Sequence, residues 1–474
     1  MCVLLLSNGA PGYHNFFNAL LAEYTADGRK SVIAVDNPYS RDMNGLDALE
    51  CPVYDFSSFF RAGQYDKEDM LQAYEKTNLN TALLSDFERS QVYGIPLARK
   101  SDFYTQLICA LLAFFEDIFD RHNVNEVIYE GVSNSFAHFA YFVAIRKGAK
   151  YRGLISSRLP GRYAITSDPC EESGPIMKML SDLRSGCFRP SDTVVRWCQE
   201  YLSRIESTTP DYMRFNKLDQ TGIFSRYLTL SKFEKLKRAI RHSCNDHETA
   251  FQLGNPLRYS FSMVRRNLLR RWRLKKVLAL YGQASPSDVF YLYPLHFHPE
   301  ASTSILAGTY LDEYEVVRNI AFNLPVGRKL YVKDHVSAYG FQSLDFYQRL
   351  KQLPNVVLLG PNEPTKELIK ASKGVVTLTS TVGYEALLLN KRVFLYGRVF
   401  YERHKNIVRI SDPTRLFETF ISYSDDPEAD EQYTLDFLVA YYSVTRPGTL
   451  NLMAPKEEAE TLAHAIYKDI RDYP

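Results

Sequence analysis

Residues 289–300 read VFYLYPLHFHPE, and the fold follows from them. Val289–Tyr293 is apolar and aromatic, Pro294 ends the run, and His296, His298 and Glu300 follow at once. An apolar run that stops in titratable groups reads as a parallel strand buried on both faces, with its carboxyl end opening into a site. The pattern recurs outward from this stretch. Leu330–Lys333 runs into Asp334-His335, and Val356–Leu359 is a further strand. Val375–Leu378 leads through Thr379-Ser380-Thr381-Val382-Gly383 into a helix, and Arg392–Leu395 closes the series. Helices are expected between them at about 304–322, 341–352, 365–371 and 383–389. Such edges on one side of one sheet predict a ligand site. The two histidines with Glu300 do not predict a metal centre. Residues i and i+2 of an extended chain face opposite ways, and a fourth ligand is missing. One of the two histidines is therefore assigned to structure.

The first half alternates in the same way. Cys2–Ser7 is a strand, and a glycine-bearing turn follows. A helix over 15–25 carries apolar residues at Phe16, Phe17, Leu20, Leu21 and Tyr24, the spacing of a helix lying on a sheet. Strands follow at Ser31–Val35, Val53–Phe56, Val127–Tyr129 and Tyr151–Ile155, with a helix at Ser135–Arg146 that Ser133 or Asn134 is suited to cap. The turn is not GxGxxG and predicts no dinucleotide. Glu130 ends the strand at 127–129 and faces the crevice where doubly wound sheets bind ligands.

At 474 residues the chain exceeds one ordinary core, so several domains are expected. The seven cysteines are scattered, with no CxxC pair, and read as reduced buried thiols of a cytoplasmic protein. The opening MCVLLLSNGAPGYH has a short apolar run and no basic segment before it, so it reads as a strand and not a signal peptide. From about 190 to 280 the alternation gives way to helix. Between Arg226 and Lys276 there are 14 lysines and arginines against three acids. The densest part, Arg265–Lys276 (RRNLLRRWRLKK), suits the anionic surface of an inner membrane, and no nucleic-acid module accompanies it. The expected organisation is 1–189, a Rossmann-like domain; 190–285, a helical basic insertion; 286–430, a second Rossmann-like domain; and 431–474, helices packing back on the first. The fold class is α/β, with two doubly wound parallel-sheet domains facing a cleft, as in GT-B glycosyltransferases.

Four segments in order carry a family resemblance: YLYPLHFHPEAST (291–303), LPVGRKLYVKDH (324–335), LPNVVLLGPNEPTKELIKAS (353–372) and VVTLTSTVGYEALLLNKRVFLYGRVFY (375–401). They resemble the capsule polysaccharide biosynthesis family, which includes retaining β-Kdo transferases using CMP-Kdo. VIYEGVSNSFAHFAY (127–141) and GLISSRLPGRY (153–163) resemble it more loosely. The resemblance implies that Lys333 and His335, with Ser380 and Thr381, hold the nucleotide phosphate. Val336 stands where the family has proline. A helix start near Gly383 offers N–H groups to that phosphate, and Glu385 suits the ribose hydroxyls. His296 and Glu300 are implied in sugar or carboxylate contacts. Glu130 is implied as base toward the acceptor, as partner to an oxocarbenium-like centre, or as nucleophile in a retaining reaction. No cofactor or metal is implied beyond the donor, and the acceptor is a glycan or lipid-linked glycan. UDP-hexose or CDP-glycerol donors, or a non-catalytic subunit of a capsule assembly complex, are the alternatives.

Overall fold

The structure, a computed structural model, describes residues 2–7, 9, 12–63, 65–95, 101–208, 230–243 and 254–472. Asn8, Ala10 and Pro11 of the first turn, and residues 226–229 and 244–253 of the basic stretch, lie outside these. The described strands are β1 (Cys2–Ser7), β2 (Lys30–Val35), β3 (Val53–Asp55), β4 (Val124–Glu130), β5 (Lys150–Ser156), β6 (Arg162–Thr166), β7 (Phe290–Pro294), β8 (Lys329–Lys333), β9 (Val356–Leu359), β10 (Val375–Thr377), β11 (Val393–Leu395), β12 (Ile407–Arg409) and β13 (Arg446–Pro447). The chain divides into two compact units, Met1–Pro169 with Pro210–Met263 and Thr445–Pro474, and Cys170–Thr209 with Val264–Val444.

In the first unit the strand order is β13-β6-β5-β4-β1-β2-β3. Strands β1 to β5 run parallel, while β6 is antiparallel to β5 and β13 antiparallel to β6. The helix Tyr13–Ala26 lays Phe16, Phe17, Leu20, Leu21 and Tyr24 against the sheet, as its spacing predicts. The helix Lys456–Asp472 packs on that helix, with the rings of Tyr24 and Tyr467 4.8 Å apart. Asn134 caps the helix Ser135–Lys147 by accepting from the Ala137 N–H at 2.9 Å.

The second unit has the order β12-β11-β10-β7-β8-β9, all parallel. Its core gathers Tyr291, Tyr293, Leu330, Val332, Val376, Leu378 and Phe394, the apolar runs read from the sequence. In both sheets the first strand sits centrally and the strand order reverses beside it, between β1 and β4 and between β7 and β10. Ligands of doubly wound sheets bind at the carboxyl ends beside such a reversal.

The single helix expected at about 304–322 is instead a short helix Ala301–Ser304, a 3-10 turn Gly308–Tyr310 and a helix Glu313–Asn323. Asp312 stops the earlier piece and starts the later one, accepting from the N–H groups of Tyr314 (3.1 Å) and Glu315 (3.3 Å). β6 and β12 are not expected from the sequence, because RYAIT and IVR hold only short apolar runs bounded by polar residues. The basic region contributes the helices Leu230–His242 and Pro256–Leu278. Among the described residues no helix is long and apolar enough to cross a membrane.

Candidate functional site

In the second unit the polar groups collect where β7 and β10 end. β7 delivers His296, whose ring is buried and takes part in a directed hydrogen-bond chain. The N–H groups of Ser380 and Thr379 point inward, to Thr377 Oγ1 at 3.0 Å and to His296 Nε2 at 3.3 Å. Thr377 Oγ1 lies 3.2 Å from the same Nε2. Nε2 is therefore an acceptor, and the proton sits on Nδ1, which donates to Glu313 Oε1 at 2.8 Å. That oxygen also accepts from the His296 backbone N–H at 2.9 Å and from the Tyr293 hydroxyl at 3.2 Å. His298 Nε2 stands 3.4 Å from the other carboxylate oxygen. Burial alone would raise the Glu313 pKa, but the His296 and His298 contacts outweigh it and pull it down to about 2. The sequence-predicted His296 is thus the centre of a tie between β7, β10 and the helix Glu313–Asn323. Its anchor, Glu313, was missed because the expected helix ran through it. The Asp312 cap signal was the clue available.

Glu300 is not brought to this cluster. It is exposed, accepts from Ser302 Oγ at 3.1 Å, and through its carbonyl fixes the hydroxyls of Thr303 and Ser304.

β8 delivers Lys333, Asp334 and His335. Lys333 is buried and donates Nζ to the Pro361 carbonyl at 2.8 Å. Burial pushes its pKa down, against the opposing carboxylates of Asp334, Glu363 and Glu385. Glu385 is pushed up by burial, with Lys366 and Lys333 opposing, and Lys366 Nζ stands 3.9 Å from it. The structure therefore brings Lys333 and Glu385 within electrostatic reach of each other. His335 accepts at Nδ1 from the Ser337 N–H at 3.1 Å, which leaves the proton on Nε2. Its ring stacks on Phe297, and burial is the main cause of a pKa pushed down to about 4. At neutral pH His335 thus offers a hydrogen-bond donor and not a charge.

β10 leads into the helix Thr381–Leu388, where Ser380 is the N-cap and accepts from the Val382 N–H at 3.2 Å. Thr381 is the first helical residue, half-buried. Gly383 serves close packing: an added Cβ would stand 2.5 Å from the Tyr401 hydroxyl and 3.1 Å from Thr377 Cγ2. Tyr401 is fully buried, and its hydroxyl donates to the Ser380 carbonyl at 2.5 Å. Gly383→Ala is accordingly expected to lose about 1–3 kcal/mol of stability by overpacking, read from the urea midpoint. Tyr401→Phe in that background should recover part of the loss.

In the first unit Glu130 ends β4 beside the strand-order reversal. Oε2 accepts from the Tyr13 hydroxyl at 2.8 Å and Oε1 from Ser133 Oγ at 2.5 Å. Burial raises its pKa, while Ser133, Tyr13 and the nearby Arg89 oppose the rise. At the end of β2, Asp36 is also buried, and burial pushes it up to about 7.

Two Rossmann-like units in one chain, each with carboxylates and hydroxyls at its reversal point, are the makeup of the GT-B class. Residues 223–404 match the model of the capsule polysaccharide biosynthesis protein family. Protein FixF of Sinorhizobium fredii is 40% identical over 91 residues, which are 18% of this chain and 22% of that protein. Among solved structures, the Thermosulfurimonas dismutans KpsC beta Kdo 2,4 transferase is 14% identical with a TM-score of 0.33, covering 68% of this chain and 80% of its own. The beta Kdo 2,7 transferase of the same organism is 15% identical with a TM-score of 0.34, covering 69% and 79%. UDP-GlcNAc 2-epimerase from Neisseria meningitidis is 11% identical with a TM-score of 0.28, covering 99% and 100%. With TM-scores this low, the fold rests on the two sheets themselves.

Proposed function

We propose that the protein is a glycosyltransferase of bacterial surface polysaccharide synthesis, moving Kdo or a similar acidic sugar from its CMP-activated form to a glycan or lipid-linked glycan. One observation carries this reading. Within the family-matched residues, Lys333 ends β8 and His335 follows two residues on, while Ser380 and Thr381 start the helix after β10, on either side of the central β7. In the proposed step the acceptor hydroxyl oxygen bonds to the anomeric carbon as the bond from that carbon to the phosphate oxygen breaks, and CMP leaves. The acceptor proton passes to a carboxylate, for which Glu130 is the candidate. The leaving phosphate gathers charge that Lys333, the His335 Nε2–H and the helix start can stabilise. The step invokes no metal. A glycan carried on lipid places the enzyme at the inner face of a membrane without spanning it.

Thermal unfolding with a donor panel tests the reading. CMP and CMP-Kdo should protect the protein, and UDP-hexoses and CDP-glycerol should not. Transfer from CMP-Kdo to a synthetic acceptor should release CMP. His335→Ala should abolish the CMP protection, and unchanged protection would remove His335 from the donor site.

A further inference from the structure

The helix Pro256–Leu278 carries eight basic residues and no acid, and the structure sorts its side chains by direction. Arg266, Arg270 and Arg273 turn inward. Arg266 donates to the His298 carbonyl at 3.3 Å, and Arg270 Nε to that of Tyr339 at 2.8 Å. Arg273 donates to the carbonyls of Gly340 (2.9 Å) and Phe341 (2.6 Å). The guanidinium groups of Arg266 and Arg270 also lie over the Phe341 ring, at 4.3 and 4.4 Å. Val277 is buried on the same side. These arginines, expected with the rest of the basic segment to meet a membrane, are instead spent on the loops that follow His296 and His335.

The opposite side is different. Phe261, Val264, Leu268 and Trp272 recur every three or four residues, so they form one stripe. Their exposures are 69%, 39%, 58% and 72%, high for large apolar side chains. Arg258, Arg265, Lys275 and Lys276 are exposed along the same stripe, and Lys276 Nζ stands 5.0 Å from the centre of the Trp272 ring.

We infer that this stripe is a docking surface for an anionic lipid leaflet. Aromatic and aliphatic side chains flanked by cations on one helix face suit the boundary between acyl chains and charged headgroups. Charge complementarity selects that occupant. A second copy meeting the stripe symmetrically would set Arg265, Lys275 and Lys276 against their own equivalents with no acid on the helix to offset them. The surface gives the proposed lipid-linked acceptor its setting, and it rests on that reading only for its biological role. Vesicle binding is measured without turnover, so each can fail while the other holds.

The test is sedimentation of the full chain with vesicles of phosphatidylcholine alone or mixed with phosphatidylglycerol, at low and high salt. Binding should require the anionic lipid, weaken with salt, and shift Trp272 fluorescence to the blue. Trp197, stacked on Tyr201, should contribute a constant background. Leu268→Ser with Trp272→Ser should reduce partitioning at least tenfold, and Lys275→Gln with Lys276→Gln roughly thirtyfold. Both pairs are exposed, so thermal unfolding should hold, as should transfer to a soluble acceptor. No binding by the native chain, or equal binding by the variants, would overturn the inference. So would a self-association, or an affinity for single-stranded nucleic acid, that the Trp272 variant abolishes while vesicle binding persists.

Discussion

Glu130→Gln is expected to lose transfer by roughly 10²–10⁴-fold in kcat, the range for removing a positioned acid–base group, with little change in KM. Glutamine keeps the size, and its carbonyl oxygen can accept from one of the Tyr13 and Ser133 hydroxyls while its NH2 donates to the other, so the loss would report the charge and not the packing. The pH profile separates the roles further. Burial raises the Glu130 pKa, so in the native protein the rate should fall as pH drops through that raised value, where the base becomes protonated. The variant should lack that acid limb. Stability should move the other way. A carboxyl with a raised folded pKa is held at a cost once pH exceeds its unfolded value near 4.3, so the neutral glutamine should be no less stable at pH 7. Full transfer by Glu130→Gln, with the acid limb intact, would move the base elsewhere, and Asp36 would be the next carboxylate to test.

Glu313→Ala should cost about 3–5 kcal/mol of stability, because three buried donors lose a charged acceptor, at about 1–3 kcal/mol for each group left unsatisfied. The carboxylate is only 3% exposed and accepts the His296 ring proton, the His296 backbone N–H and the Tyr293 hydroxyl. Alanine leaves those donors unsatisfied beside a cavity. Glu313→Gln, which keeps one acceptor, should cost about 1–3 kcal/mol. The folded pKa of about 2 lies below the unfolded value, so this contribution is complete above pH ~4.3 and disappears as pH falls toward 2. The destabilisation by Glu313→Gln should therefore shrink in acid. Urea midpoints at pH 7 and pH 3 measure both effects. Because His296 also receives the Thr379 N–H, the variant should weaken CMP protection even where it stays folded. A loss below 1 kcal/mol for Glu313→Ala would show that the two histidines hold without it.

Much of this protein is determined by local sequence. Runs such as CVLLLS and VFYLYP must be buried on both faces, and their spacing between amphipathic helices leaves a doubly wound sheet as the economical way to bury them. Polar residues that interrupt such runs then fall at strand ends, which is why Glu130, Lys333, His335 and the Ser380–Thr381 turn could be named in advance as strand-end groups. Periodicity says nothing, however, about which long-range partner a buried polar group will find. His296 is committed to Glu313 and Thr377, residues 17 and 81 positions away. Gly383 is reserved for Tyr401, and three arginines of the basic helix for loops near the histidines. The same helix divides into a clamp and an open stripe only once its neighbours are in place. Sequence determined where the chain would expose chemistry, because burial of apolar runs is a local demand. Tertiary structure decided which of those groups are already satisfied, because hydrogen bonds and ion pairs are settled by whatever the fold brings alongside.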